Sequence, residues 1–206
     1  TTKENWQEVI SHRNDVYFSG FEILKDYLVV SERKEGITQL RVVPWSGNGE
    51  YYIDFDEDIY TIGSNVNLDF DTKIFRFSYT SLTTPNSVFD FNLNTKERTL
   101  LKEEEVLGGF DKTNYETKRI YATAGDGTSI PMSLVYRKGL QKNGKNPALI
   151  YGYGSYGYTM DPTFRLPILP LLDRGFVYAI AHIRGGQING RAWYEDGKLL
   201  NKMIKI

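Results

Sequence analysis

Two stretches decide how this chain folds: Tyr27-Leu28-Val29-Val30-Ser31 and, about 47 residues later, Ile74-Phe75-Arg76-Phe77-Ser78. Each opens a similar series. Leu40-Arg41-Val42 and Glu50-Tyr51-Tyr52 follow the first, and Val88-Phe89-Asp90 and Arg98-Thr99-Leu100 follow the second. A four-stranded unit recurring every roughly 40 to 50 residues is the pattern of β-propeller blades, because each blade buries its faces only against its neighbours. Two units cannot close a ring, and two unrelated β-meanders of similar length would leave the same trace. Ser46-Gly47-Asn48-Gly49 and Asn94-Thr95-Lys96 stand where the strands must reverse, supplying residues that accept positive φ or bond their own backbone.

Working outward, short apolar or alternating runs predict strands at 27–31, 39–45, 51–55, 59–67, 74–79, 87–93 and 98–102, with no helical period among them. The character changes after Gly108-Gly109. Residues 115–124 and 130–137 read as a hairpin around Gly125-Asp126-Gly127-Thr128, and Pro147-Ala148-Leu149-Ile150-Tyr151-Gly152 as a short buried strand running into glycines. Residues 163–173 suit a helix started or interrupted by Pro167 and Pro170 and closed by Gly175, and 176–181 a second buried strand. Strand, helix, strand with glycine-rich exits is α/β grammar, whose functional rim lies at the carboxyl ends of the strands. The expected fold is therefore mixed: antiparallel propeller blades over residues 1–110, then an α/β domain over 111–206.

Composition narrows the function. The 206 residues carry 25 basic and 26 acidic groups, so no long-range field draws nucleic acid. Lys and Arg are scattered rather than clustered with aromatics, which disfavours a nucleic-acid or anionic-membrane surface and leaves peptides or neutral partners. There are no cysteines, which removes disulfide scaffolds, thiolate nucleophiles and thiolate metal sites, and agrees with a reducing compartment. The expected location is the cytoplasm, with the periplasm open if a leader precedes Thr1. No apolar run reaches the roughly 18 residues of a membrane helix. Tyr at 15 and Phe at 11 suit pleated surfaces.

Gly152-Tyr153-Gly154-Ser155-Tyr156-Gly157 invites a nucleophile-elbow reading, with Asp173 and His182 following in acyl-hydrolase order. Two features oppose it. Tyr153 stands where G-x-S-x-G requires glycine, and His182 ends the next strand instead of lying on a late loop. His12 and His182 are the only histidines and have no ligand-spaced partners, so neither suggests a metal. Asp54, Asp56, Glu57 and Asp58 lack calcium-loop spacing and read as a solvated turn, as does Lys102-Glu103-Glu104-Glu105. Arg184-Gly185-Gly186 lacks the phosphate-loop patterns and suits tight packing at a rim equally well.

Tyr151 to Gly157, Leu171 to Gly186 and Trp193 to Lys198, together with Ser81-Leu82-Thr83-Thr84-Pro85 and Asp126 to Tyr136, closely resemble the prolyl oligopeptidase family of serine peptidases, in particular the branch cleaving short peptides after Arg or Lys. The likeness runs from about Trp6 to Met203. It implies propeller blades followed by the first part of an α/β-hydrolase domain, and chemistry without a cofactor. It also implies that Tyr153 is the second tyrosine of the Y-G-Y-G motif, whose hydroxyl joins the oxyanion hole; a phenol is a neutral donor at pH 7 and suits that task. Tyr156 corresponds to a ring lining the pocket for the side chain before the scissile bond (P1). Asp161 corresponds to the first of two acidic positions favouring a basic side chain one residue earlier (P2). The second is Thr163 here, which weakens that preference.

The family's G-G-S-x-G-G elbow and its Asp and His lie beyond Lys198, so the resemblance places no triad residue in this chain. Taken alone, the chain is expected to be inactive and to need the remainder of the polypeptide as its partner. Met203 to Ile206 depart from the family's continuation, as does Gly185-Gly186-Gln187-Ile188-Asn189-Gly190, which lacks a third consecutive glycine. The competing readings are another acyl hydrolase of the same family, such as an esterase, and a non-catalytic β-rich binding module.

Overall fold

The computed structural model describes residues 2–204; Lys205 and Ile206, part of the divergent terminus, lie outside the described residues. Three four-stranded sheets follow one another along the chain. The first is a meander of β1 (Val16–Ile23), β2 (Tyr27–Lys34), β3 (Ile37–Pro44) and β4 (Tyr51–Tyr52), and the second a meander of β5 (Tyr60–Ser64), β6 (Ile74–Ser81), β7 (Ser87–Asn92) and β8 (Arg98–Glu103). The repeat in the sequence is thus two propeller-type blades, with β2 and β6 in corresponding positions. Their inward residues interdigitate in one core: Leu24, Val29, Leu40 and Val42 from the first sheet meet Ile62, Phe75, Phe77 and Phe91 from the second. Phe55 stacks on Tyr79 with ring centroids 4.8 Å apart, and Phe77 on Phe89 at 5.5 Å. Aromatic rings fill the wedge between blades with large apolar area at small entropic cost.

Strand β1 is absent from the pattern-based prediction. A bulge between Phe18 and Gly20 breaks the alternation on which that prediction relies. The strands expected at 51–55 and 59–67 shorten to β4 and β5, since Ile53 leaves the ladder at a single bond to Leu40 and Asn65 to Asn67 turn back onto Arg76.

The third sheet has the order β11-β12-β10-β9, formed by β9 (Tyr115–Thr123), β10 (Ser129–Arg137), β11 (Ala148–Gly152) and β12 (Val177–Ala181). β9 and β10 are the predicted hairpin, while β11 and β12 run parallel, as a strand–crossover–strand unit requires. The crossover helix is shorter than expected. A 3-10 turn at Leu166–Ile168 leads into α1 (Leu169–Asp173), because Pro167 and Pro170 cannot donate to the preceding turn. The predicted Gly175 stop holds: Gly175 N–H donates to Leu172 O and Phe176 N–H to Leu171 O, the paired bonds of a Schellman end. A second helix, α2 (Arg191–Glu195), was not expected from the pattern.

One expectation is overturned. β11 is an exposed edge strand, with Ile150 at 62% exposure. An apolar run implies burial only when both neighbours and both faces are filled, and among the described residues β11 has β12 on one side alone.

The α/β part packs on the second blade through Ile59, Leu82, Val135, Leu172, Tyr178 and Ile180. The β2–β3 hairpin tip also docks there. At Gly36, with φ +82, a Cβ would come within 2.8 Å of Ile188 Cγ1 and would strike the Arg119 guanidinium. Gly36→Ala should therefore cost about 2 kcal/mol through left-handed strain and displaced packing, read as a lower urea midpoint of the chain; an unchanged midpoint would show that the tip does not dock.

Candidate functional site

β11 delivers the chain at Gly152, paired with Ala181, to the carboxyl edge of the parallel pair. Beyond it the backbone enters a junction that only glycines fit. A Cβ on Gly154 would lie 2.7 Å from Ile183 Cγ1 and 3.0 Å from Ile183 O. One on Gly185 would meet Gly154 C and Gly197 O at 3.0 Å, and one on Gly197 would meet Arg184 C at 2.5 Å. Three segments distant in sequence thus touch backbone to backbone. Gly157 N–H donates to Gly185 O at 2.9 Å, and Gly185 N–H to Trp193 O at 2.9 Å. The Gly-rich 184–186 stretch is close packing at a rim.

This junction carries the two tyrosines. Tyr153 is 40% exposed, its ring edge-on to Tyr158 with centroids 6.0 Å apart, and among the described residues its hydroxyl makes no hydrogen bond. Tyr156 is 89% exposed and sits at φ +58, a left-handed conformation that is uncommon for a residue with a Cβ. Tyr156 lines a cavity of about 310 Å³ with Ser155, Gly185, Tyr194, Gly197 and Lys198.

The third sequence candidate is differently engaged. Asp161 accepts from both terminal nitrogens of Arg33, at 2.5 and 3.0 Å, in a fork that satisfies both carboxylate oxygens. Arg33 lies on β2, in the first blade, and no motif in the sequence pointed to it.

The Ser155, Asp173 and His182 series is not assembled. Asp173 accepts from the Tyr115 hydroxyl at 2.9 Å and pairs with Arg137. His182 is 3% exposed and its Nε2 lies 2.8 Å from Ser133 Oγ, which itself accepts from Arg119 Nη1 at 2.7 Å. Burial, then the Arg119 and Arg33 guanidiniums, lower the imidazole to about 3, so it is neutral at pH 7. Below the rim, Arg184 donates to Asp126 Oδ2 at 2.6 Å and Thr128 Oγ1 at 3.1 Å, tying the β9–β10 turn to the glycine junction. The Arg184 guanidinium, with the Thr128 backbone N–H, holds the Asp126 carboxyl well below its usual range. Glu57, expected in a solvated turn, accepts from the Thr83 and Thr84 hydroxyls at 3.1 and 2.5 Å.

Comparison with known proteins adds two family matches. Residues 1–104 match the family described as prolyl oligopeptidase, N-terminal beta-propeller domain, and residues 162–206 match the prolyl oligopeptidase family. Dipeptidyl aminopeptidase BI of Pseudoxanthomonas mexicana is 47% identical over 98% of this chain, and Protease 2 of Moraxella lacunata 38% over 94%. The chain spans 28% of the length of each of these relatives. Oligopeptidase B from Leishmania major superposes with a TM-score of 0.87 at 41% identity, over 97% of this chain and 29% of that one.

Proposed function

The chain belongs to the prolyl oligopeptidase family, and on that premise we propose that it supplies two propeller blades and the opening of the catalytic domain of a serine peptidase that cleaves short peptides after Arg or Lys. The division between the two parts is placed at residues 110 and 111. The observation that carries the reading is the Tyr153 hydroxyl, half-exposed just past a parallel strand, without a hydrogen bond among the described residues, on a backbone that enters the close-packed glycine junction. A donor fixed in position before reaction costs no reorganisation when charge develops on the substrate oxygen. In this reading Tyr156 presents its ring to the stem or guanidinium of the residue preceding the scissile bond, and Asp161 lies toward the residue before that. The nucleophile, its base and their acidic partner come from polypeptide outside this chain.

Two arms test the proposal. The purified chain should not hydrolyse an Arg-containing chromogenic peptide, whereas the full-length polypeptide carrying this sequence should, with the rate abolished by a serine-directed inhibitor. Inhibitor-sensitive hydrolysis by the chain alone would overturn the assignment of roles, and a full-length protein inert toward such peptides would overturn the function. The relative at 47% identity, a dipeptidyl aminopeptidase, favours a second reading, release of amino-terminal dipeptides. A requirement for a free α-amino group on the substrate would select it. An esterase would prefer esters to peptides of the same side chain, and a binding module would bind peptide saturably without turnover. The proposal includes residence in the cytoplasm, resting on a sequence without cysteine, and cell fractionation tests it.

A further inference from the structure

Residues 153–165, between β11 and the 3-10 turn before α1, contain no helix or extended strand. A segment of this length takes one conformation only if its surroundings hold it. Its first half is held from within the α/β part: Gly157 donates to Gly185 O, and Gln187 N–H donates to Thr159 Oγ1 at 3.4 Å. Its second half is held by the blades. Arg33 of the first blade grips Asp161 with both terminal nitrogens. Thr61 of the second blade donates to Pro162 O at 3.1 Å, and Thr80 Oγ1 accepts the Phe164 N–H at 3.1 Å. Three consecutive anchor points on the loop thus come from two different blades.

Of the three, the Arg33 contact is the strongest. It is charge-assisted, bidentate and largely withdrawn from water, with side-chain exposures of 12% and 26%. It also decides what the Asp161 carboxylate can do. Both of its oxygens are occupied by the Arg33 guanidinium. A carboxylate so compensated attracts a substrate cation weakly.

We propose that Arg33 is a positioning residue for the tyrosine-bearing loop: the blade grips Asp161, and through it fixes the path of Tyr153 to Phe164 while withholding the acid from basic substrate side chains. The proposal rests on the peptidase reading above and names what sets the geometry and charge preference of that site. Releasing the fork frees both the loop and the carboxylate, so two effects of opposite sign follow.

The test uses the full-length polypeptide with Arg33→Gln and Arg33→Lys. Arg33→Gln should lower kcat about tenfold on a peptide with Arg before the scissile bond and a neutral residue before that, with KM changed less than twofold. The same variant should raise, by about threefold or more, the kcat/KM ratio of a substrate with a basic residue at that earlier position to the neutral one. Amide exchange over 153–164 should accelerate. Arg33→Lys, which keeps the charge and loses the fork, should restore the ratio but recover kcat only partly. An unchanged kcat, or a lowered kcat without faster exchange in 153–164 or without a change in the ratio, overturns the proposal. If wild-type protein shows no serine-peptidase activity, the functional reading fails instead, and exchange alone decides whether Arg33 holds the loop: unchanged exchange in Arg33→Gln overturns that too.

Discussion

Tyr153→Phe in the full-length polypeptide should lower kcat by about 10²- to 10³-fold, the usual loss for one oxyanion donor, and leave KM nearly unchanged. The substitution isolates the hydroxyl. Phenylalanine keeps the ring that meets Tyr158 edge-on at 6.0 Å, and no hydrogen bond among the described residues is lost from the folded chain. The unfolding midpoint should accordingly stay within error of wild type. A donor that acts only on developing charge lowers kcat and kcat/KM together, whereas one that also grips ground-state substrate raises KM. A kcat within threefold of wild type would remove Tyr153 from the chemistry, and a lowered midpoint would reassign its hydroxyl to the fold. The glycine junction explains why so large an effect can rest on one phenol: Gly154, beside it, lies so close to Ile183 and Gly185 that a Cβ would not fit, which leaves no room for a neighbouring side chain to stand in for the hydroxyl.

How much of this was legible beforehand depended on how locally each feature is encoded. The correspondence of Tyr27–Ser31 with Ile74–Ser78 was visible because a blade repeats its own hydrophobic pattern, and the core joining Val29 and Val42 to Phe75 and Phe77 follows from it. The Gly175 stop was legible for the same reason, since its bonds to Leu171 and Leu172 close within one helical turn. β1 escaped because one bulge at Phe18 to Gly20 shifts every later side chain to the opposite face. β11 was misjudged because burial is a property of neighbours, and the sequence of Ala148 to Gly152 states only the strand's own polarity. The glycines at 154, 185 and 197 could each be read as loop punctuation, yet nothing in a linear pattern says that they meet. Arg33 is the extreme case. It lies 128 residues from Asp161, in the polar end Ser31 to Lys34 of a strand where an arginine is unremarkable, and its role exists only once the blade is set against the α/β part.

A second large effect concerns stability and pH. Ser133 Oγ accepts from Arg119, which can only donate, and shares a 2.8 Å hydrogen bond with His182 Nε2. The ring is neutral at pH 7, and a second ring proton would place a cation in a buried site facing two guanidiniums. Burial is the largest cause of the lowered value, Arg119 and Arg33 add to it, and the Met160 backbone opposes it. The sign follows from the two end states. The unfolded imidazole takes up a proton near 6.5 and the folded one only near 3, so in between the unfolded state binds more protons and acid favours it. The stability held by neutral His182 is complete above about 6.5 and drains away as pH falls toward 3, by about 3 kcal/mol between pH 7 and pH 4. Carboxylates elsewhere also titrate in that window, so the measurement is a difference. Urea unfolding of the chain and of His182→Gln at pH 7, 5.5 and 4 should show the variant less stable at pH 7 but losing about 3 kcal/mol less on acidification. Parallel curves for the two proteins would mean that His182 is protonated as readily in the folded chain as in the unfolded one, and the Arg119–Ser133–His182 relay would then not hold its ring neutral.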